Sequence, residues 1–129
     1  MLLVSNQSKR RRHRYIGFVI SGNNGEIGRE QIKKAIWEKT KEMLKDEAKQ
    51  SGIRLTRFNG REGIVHCYHL YKDETIKILN SINRIDGRAI SIKTVGTSGT
   101  IKALNRKFFQ GRLKKSDDPD FLKWLSKRR

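Results

Sequence analysis

Three histidines, one cysteine and a scatter of acids are the side chains from which this sequence could build a catalytic or metal centre. His66, Cys67 and His69 fall in the stretch 63–70, which reads as a strand. Alternate strand residues share a face, so His66 points away from Cys67 and His69. Cys67 and His69 together fall short of a structural zinc site, which takes about four ligands. Glu62, Asp73, Glu74 and Asp86 stand at turns or helix starts, with Asp73 placed as an N-cap, and capping accounts for them. No Gly-rich loop ends in Lys-Ser or Lys-Thr, and no nucleophile motif is present. The sequence therefore offers no catalytic residues and no metal ligands of its own.

What it does offer is chemistry for holding an anion. Gly96-Thr97-Ser98-Gly99-Thr100-Ile101-Lys102-Ala103-Leu104-Asn105-Arg106-Lys107-Phe108 joins an expected strand (89–95) to a short helix. At about 100° per residue, Ile101, Leu104 and Phe108 share one edge, while Lys102, Arg106 and Lys107 cover the back. Ser98 reads as the N-cap, and the N–H groups beyond it, with Thr100, can receive a phosphate. The segment by itself fits either a grip on a nucleic-acid backbone or a solvated helix that closes the domain. Arg10, Arg11, Arg12 and Arg14 form a basic arm of the kind that orders on its partner, and the same run has the composition of a nuclear-import signal. Arg112 adds a further cation after the helix.

The charge of the whole chain supports a polyanionic partner. Across 129 residues it is +17, and most of the excess lies at the two ends. A more balanced body with basic extremities is the footprint of a protein that wraps nucleic acid. No apolar run approaches the roughly 18 residues that span a bilayer, so no membrane partner is expected. The opening Met1-Leu2-Leu3-Val4 is too short for a signal peptide. A lone cysteine suits a reducing compartment, and a cytoplasmic location is expected.

The elements that position these cations follow from the hydrophobic periods. Tyr15 to Ile20 alternates as a strand. Residues 28–50 take a helical period through Ile32, Ala35, Ile36, Met43, Leu44 and Ala48, and Gly52 stops it. Two strands, 53–58 and 63–70, flank Asn59-Gly60, a strong hairpin signal. A second helix from Asp73 to about Arg84 carries Ile76, Leu79 and Ile82, and Asp86-Gly87 turns into the last strand. The order strand, helix, strand, strand, helix, strand predicts a ferredoxin-like, RNA-recognition-like α+β fold, βαββαβ with an antiparallel sheet and added C-terminal helices. Its parts are a basic arm (1–14), the domain (15–109) and a basic C-terminal segment (110–129). In that last segment Phe121, Trp124 and Leu125 share a helix face that docks on the domain or meets a protein partner. The sheet face away from the two helices presents either the Val65/Cys67/His69 or the His66/Tyr68 alternation. A protein partner or a second copy would cover it. The aromatic signature of RNA-recognition sheets is absent, so phosphate and shape contacts fit better than conventional base stacking.

Arg14-Tyr15-Ile16-Gly17-Phe18, Gly63-Ile64-Val65-His66-Cys67 and above all Gly96-Thr97-Ser98-Gly99-Thr100-Ile101-Lys102-Ala103-Leu104 resemble the archaeal family of ribonuclease P protein component 2. Its eukaryotic relative is a subunit shared by ribonuclease P and ribonuclease MRP. The resemblance spans roughly residues 12–109 and looks more archaeal than eukaryotic. It implies a protein subunit of the ribonucleoprotein endonuclease that removes 5′ leaders from precursor tRNA. The RNA subunit would carry the active site and its magnesium, with no cofactor bound by this chain. The implied partners are ribonuclease P RNA, protein component 3 and other holoenzyme proteins, and precursor tRNA through the holoenzyme. A homodimer within a heterotetramer is implied as well. The family often has Arg where this chain has His66, which predicts a neutral hydrogen bond or a pH-dependent charge there. Composition and topology alone also suit a general RNA-binding or ribosomal protein with a ferredoxin-like core.

Overall fold

The computed structural model describes residues 12–22 and 27–114. Its elements are β1 (His13–Ser21), α1 (Arg29–Leu44), β2 (Arg54–Phe58), β3 (Glu62–Tyr68), α2 (Lys72–Ser81), β4 (Arg84–Ile85), β5 (Arg88–Ala89), β6 (Ser91–Ser98) and α3 (Ile101–Phe109). The main sheet runs β2-β3-β1-β6, with every neighbouring pair antiparallel. This is the ferredoxin-like order that the alternation of strand and helix signals predicts.

The alternation of β1 explains how the sheet serves two layers. Ile16, Phe18 and Ile20 are buried against Ile32 and Ile36 of α1 and Ile78 and Leu79 of α2, together with Leu55, Val65, Cys67 and Ile92. The other face carries a smaller cluster of Ile64, Leu104, Phe109 and Leu113, bordered by Tyr15, Val19, Val95, Ile101 and Phe108. Thus α3 lies on the face opposite α1 and α2. Val95 is skipped in the β1–β6 register between Gly17↔Gly96 and Phe18↔Thr94, and this bulge turns it toward the α3 layer.

Several local expectations shift. The first helix stops at Leu44 and continues as two 3-10 turns before Gly52, whose φ of +72° ends the run. β3 ends at Tyr68 rather than at residue 70, and His69–Tyr71 form a 3-10 turn. Val65 and Cys67 therefore face the core, His66 and Tyr68 face the α3 layer, and His69 shares a strand face with neither. Asp73 is not a cap: α2 starts at Lys72 behind Tyr71, and Asp73 and Glu74 sit in its first turn, where the helix dipole favours acids. The last strand runs 91–98 rather than 89–95. Asp86 (φ 49°) and Gly87 (φ 80°) form a tight turn with its own short β4–β5 hairpin, which uses up Arg88 and Ala89.

Candidate nucleic-acid interface

The basic helix owes its position to two glycines and one buried amide. A Cβ on Gly96 would meet the Phe108 ring at 2.3 Å, and one on Gly17 would meet the Phe109 ring at 2.9 Å. Only glycine lets these rings press onto the backbone of β6 and β1. Leu104 and Phe109 are fully buried, whereas Phe108 and Ile101 are half-buried. The apolar edge is therefore wider than the Ile101/Leu104/Phe108 stripe read from the sequence. Behind them the buried Asn105 amide donates from Nδ2 to the Leu113 carbonyl (2.6 Å) and accepts from the Leu113 N–H (3.2 Å). This returns residues 110–113 to the sheet, where Arg57 Nη1 also donates to the Leu113 carbonyl (2.9 Å).

With that edge fixed inward, Lys102, Arg106 and Lys107 are all exposed on the back of α3. None of the three forms an ion pair with a described residue. Lys107 Nζ stands 5.5 Å from the Phe108 ring centroid. The N-cap is Thr100, not Ser98: its hydroxyl accepts from the Ala103 N–H at 3.2 Å. Ser98 ends β6 and accepts from the Thr100 N–H at 3.3 Å, so it orders the turn one step earlier. Each hydroxyl keeps its own proton to donate.

The β1–β6 register pairs Tyr15 with Ser98, which sets the start of β1 beside the start of α3. Arg14 is half-buried, donates to the His13 carbonyl (2.9 Å), and lies 3.7 Å from where a Cβ on Gly99 would be. Arg12 is exposed, and its carbonyl accepts from the His69 N–H at 2.8 Å. Arg12 and Arg14 thus gather at the same end of the sheet as Thr100. Arg10 and Arg11 of the arm, and Phe121, Trp124 and Leu125, lie outside the described residues.

Arg112 is placed differently from the other candidates. Its guanidinium forms a salt bridge with Glu62, with Nε donating to Oε1 at 3.1 Å, and also meets the Gln110 side chain. The bond to Arg112 holds the Glu62 carboxyl below its ordinary range. Arg112 therefore spends much of its hydrogen bonding inside the protein.

His66 is bonded through both of its ring nitrogens. Its Nδ1 donates to the Gly52 carbonyl at 2.7 Å, since a carbonyl can only accept, and its Nε2 meets His13 Nδ1 at 2.7 Å. Burial pushes the imidazole below its ordinary value; the bond to the Gly52 carbonyl works against that shift, and the nearby Arg54 charge adds to it. The sequence signal for this pair was weak, because His13 looked like part of the arm.

Among the described residues, no three of His, Cys, Asp and Glu come together as a metal-binding group, and no helix is long and apolar enough to cross a membrane. What the arrangement can do is hold phosphates. The model of the Rpp14/Pop5 family matches residues 14–109. Ribonuclease P protein component 2 of Archaeoglobus fulgidus is 34% identical over 103 residues, covering 80% of this chain and 94% of that protein. Its namesake from Pyrococcus horikoshii is also 34% identical over 103 residues, covering 77% of this chain and 84% of the relative. A chain in the cryo-EM structure of yeast ribonuclease MRP superposes with a TM-score of 0.60 over 92% of this chain and 89% of that one. It is 15% identical, a likeness of fold.

Proposed function

The chain belongs to the Rpp14/Pop5 family, and from that premise we propose that it works as a protein subunit of ribonuclease P, the ribonucleoprotein that removes the 5′ leader from precursor tRNA. The observation that carries this onto the chain's own residues is the back of α3, where three exposed cations stand with no ion-pair partner among the described residues. Lys102, Arg106 and Lys107, joined by Arg12, Arg14 and the rest of the arm, bind the phosphates of the ribonuclease P RNA. Ser98 and Thr100 lend hydroxyl donors at the start of the helix. Magnesium, when bound, serves the hydrolysis in the RNA. The residues of this chain neutralise phosphates and so relieve the backbone repulsion that magnesium would otherwise have to screen.

The protein partner in this reading is component 3, and a second copy of this chain completes the assembly in the cytoplasm. A mainly apolar cleft of about 210 Å³ beside the edge strand β2, lined by Ile36, Trp37, Ile53 and Leu55 with Lys33 and Arg54 also on its wall, supports a protein contact there. Edge strands and apolar clefts are surfaces that partners cover.

The test is multiple-turnover cleavage of a 5′-extended precursor tRNA by archaeal ribonuclease P RNA at limiting magnesium. The chain is added alone, with component 3, and against component 3 alone. A lower magnesium requirement only with the pair is expected. No effect of the pair, with equal binding to many RNAs, would make the chain a general RNA-binding or ribosomal protein. In parallel, Lys102→Ala with Arg106→Ala weakens RNA binding and lowers the log–log salt slope by about 0.7–0.9 per lost phosphate contact, with melting unchanged. Unchanged binding at moderate salt would remove α3 from the RNA site.

A further inference from the structure

The α3 layer does not close the outer face of the sheet along its whole length. Phe109 and Phe108 press on Gly17 and Gly96, and residues 110–113 turn back over the Glu62 end of β3. At the opposite end, where β1 begins and β3 finishes, four rings gather. His66 lies at their centre, with ring centroids 4.9 Å from His13, 5.3 Å from Tyr15 and 5.2 Å from Tyr68. His13 and Tyr68 are 5.6 Å apart. His66 is buried, Tyr15 and Tyr68 are half-buried, and His13 is exposed.

This cluster is held rigid. His66 is fixed through both nitrogens, to the Gly52 carbonyl and to His13. The Tyr68 ring lies directly on Gly52, where a Cβ would come within 2.6 Å of two ring carbons. Rings whose orientations are already fixed lose little entropy when a ligand covers them. Cations border the cluster: Arg54 pairs with His66 across β2 and β3, and Arg12 continues β1 beyond His13. Both are exposed, and neither forms an ion pair with a described residue. Tyr15 pairs with Ser98, so the cluster and the start of α3 lie on adjacent strands.

We propose that this ring cluster is a nucleobase-stacking subsite: an unpaired nucleotide of RNA lies on His13 and Tyr68, with its phosphates met by Arg12 and Arg54. The proposal rests on the RNA-binding reading above and adds the kind of RNA that this end of the sheet takes. Every base has a π-face, so stacking on such a surface tolerates any sequence. A paired base inside a duplex has both faces covered and cannot stack there. The subsite therefore selects a single-stranded or bulged nucleotide, while the phosphate contacts of α3 accept either form. Arg12 and Arg54 at its border, in a chain of net charge +17, argue for this occupant over an apolar protein surface.

The experiment titrates the full chain with decaadenylate and, separately, with a ten-base-pair RNA duplex, following the ring resonances of His13 and Tyr68 and the backbone amides of α3. Decaadenylate is expected to shift both sets saturably, and the duplex only the amides. His13→Ala is expected to weaken decaadenylate binding roughly tenfold and leave duplex binding unchanged. His13→Phe, which keeps a stacking ring but loses the bond to His66, should recover most of the affinity. Amide shifts without ring shifts, or undiminished binding by His13→Ala, would overturn the subsite while leaving the RNA-binding reading intact. Shifts in neither set with either RNA would bring down both. Ring shifts produced by component 3 and not by decaadenylate would make the cluster a protein contact and overturn the proposal.

Discussion

The two faces of the sheet are closed by different means. Toward α1 and α2 the contact is mainly hydrocarbon, with Ile16, Phe18, Leu55, Val65 and Ile92 set against Ile32, Ile36, Ile78 and Leu79, while long Arg29 bonds to the Leu55 and Thr56 carbonyls tie α1 to β2. Toward α3 the buried apolar group is small, and polar ties complete it: Asn105 to both polar groups of Leu113, Arg57 to the Leu113 carbonyl, and Arg112 to Glu62. Apolar burial is strong but non-directional, whereas hydrogen bonds fix angle and distance. The first face supplies the stability that makes the domain fold. The second sets where α3 sits, and so where Lys102, Arg106 and Lys107 point.

If that division holds, one kind of substitution should behave differently on the two faces. Phe18→Ala removes a fully buried ring from the larger core and is expected to cost about 3–5 kcal/mol. Urea unfolding reads that loss, and amide exchange should rise throughout the domain. Phe109→Ala removes an equally buried ring from the smaller cluster. Its cost should fall near about 3 kcal/mol, the lower end of the same range, with exchange accelerated first in α3. Equal loss of protection in α2 and α3 would break the comparison, because the two layers would then unfold as one.

Asn105→Ala sharpens the same point by leaving the hydrocarbon in place. It strips the Leu113 N–H and carbonyl of their amide partner, although Arg57 still reaches the carbonyl. A loss of about 2 kcal/mol is expected for a buried donor left unsatisfied. Exchange should loosen in residues 110–113 and at the end of α3, while α1 stays protected. RNA affinity should fall as well, since the cations lose their fixed spacing.

The same division governs what could be read from the sequence. The covered face was legible because period 2 in β1 and the helical periods of residues 28–50 and 73–84 are local signals of burial. The exposed cations of α3 were legible for the same reason. The polar ties were not. Asn105 bonds a backbone eight positions onward, and Arg112 meets a carboxylate fifty positions back, with no local pattern to announce either. His13 was read as arm because it follows four basic residues, yet it forms the first rung of β1, opposite Tyr68. The Ser98 cap was a near miss between two hydroxyl residues, decided by which of them sits one residue before the first helical turn. Gly17 and Gly96 carry a signal of close ring approach, but glycine in a strand also marks bulges, and one of those lies beside both.

A smaller effect follows from that cap. Thr100→Ala removes the acceptor for the Ala103 N–H and is expected to cost about 1 kcal/mol. Ser98→Ala removes an acceptor from the turn rather than from the helix and should cost less. Thermal melts of the two variants give the order directly. A larger loss for Ser98→Ala would return the cap to Ser98 and shift the first free N–H groups of α3 by two residues.

The gentlest probe compares two neighbours on β3 that face opposite layers. Burial favours the neutral form of both: it pushes the Cys67 thiol up and the His66 imidazole down. Their consequences differ with pH. Cys67 takes up no proton on acidification and adds no slope there. His66 binds its proton less readily when folded than at its ordinary value of 6.5, so below about that pH the unfolded chain takes up a proton that the folded chain refuses. Its contribution is complete above 6.5 and declines as pH falls toward the folded value. Urea midpoints between pH 7.5 and 5 should therefore drop more steeply for the wild type than for His66→Gln. Parallel curves would mean that His66 accepts a proton within the fold. Its Nε2 could then no longer accept from His13, and the ring at the centre of the outer face would be charged.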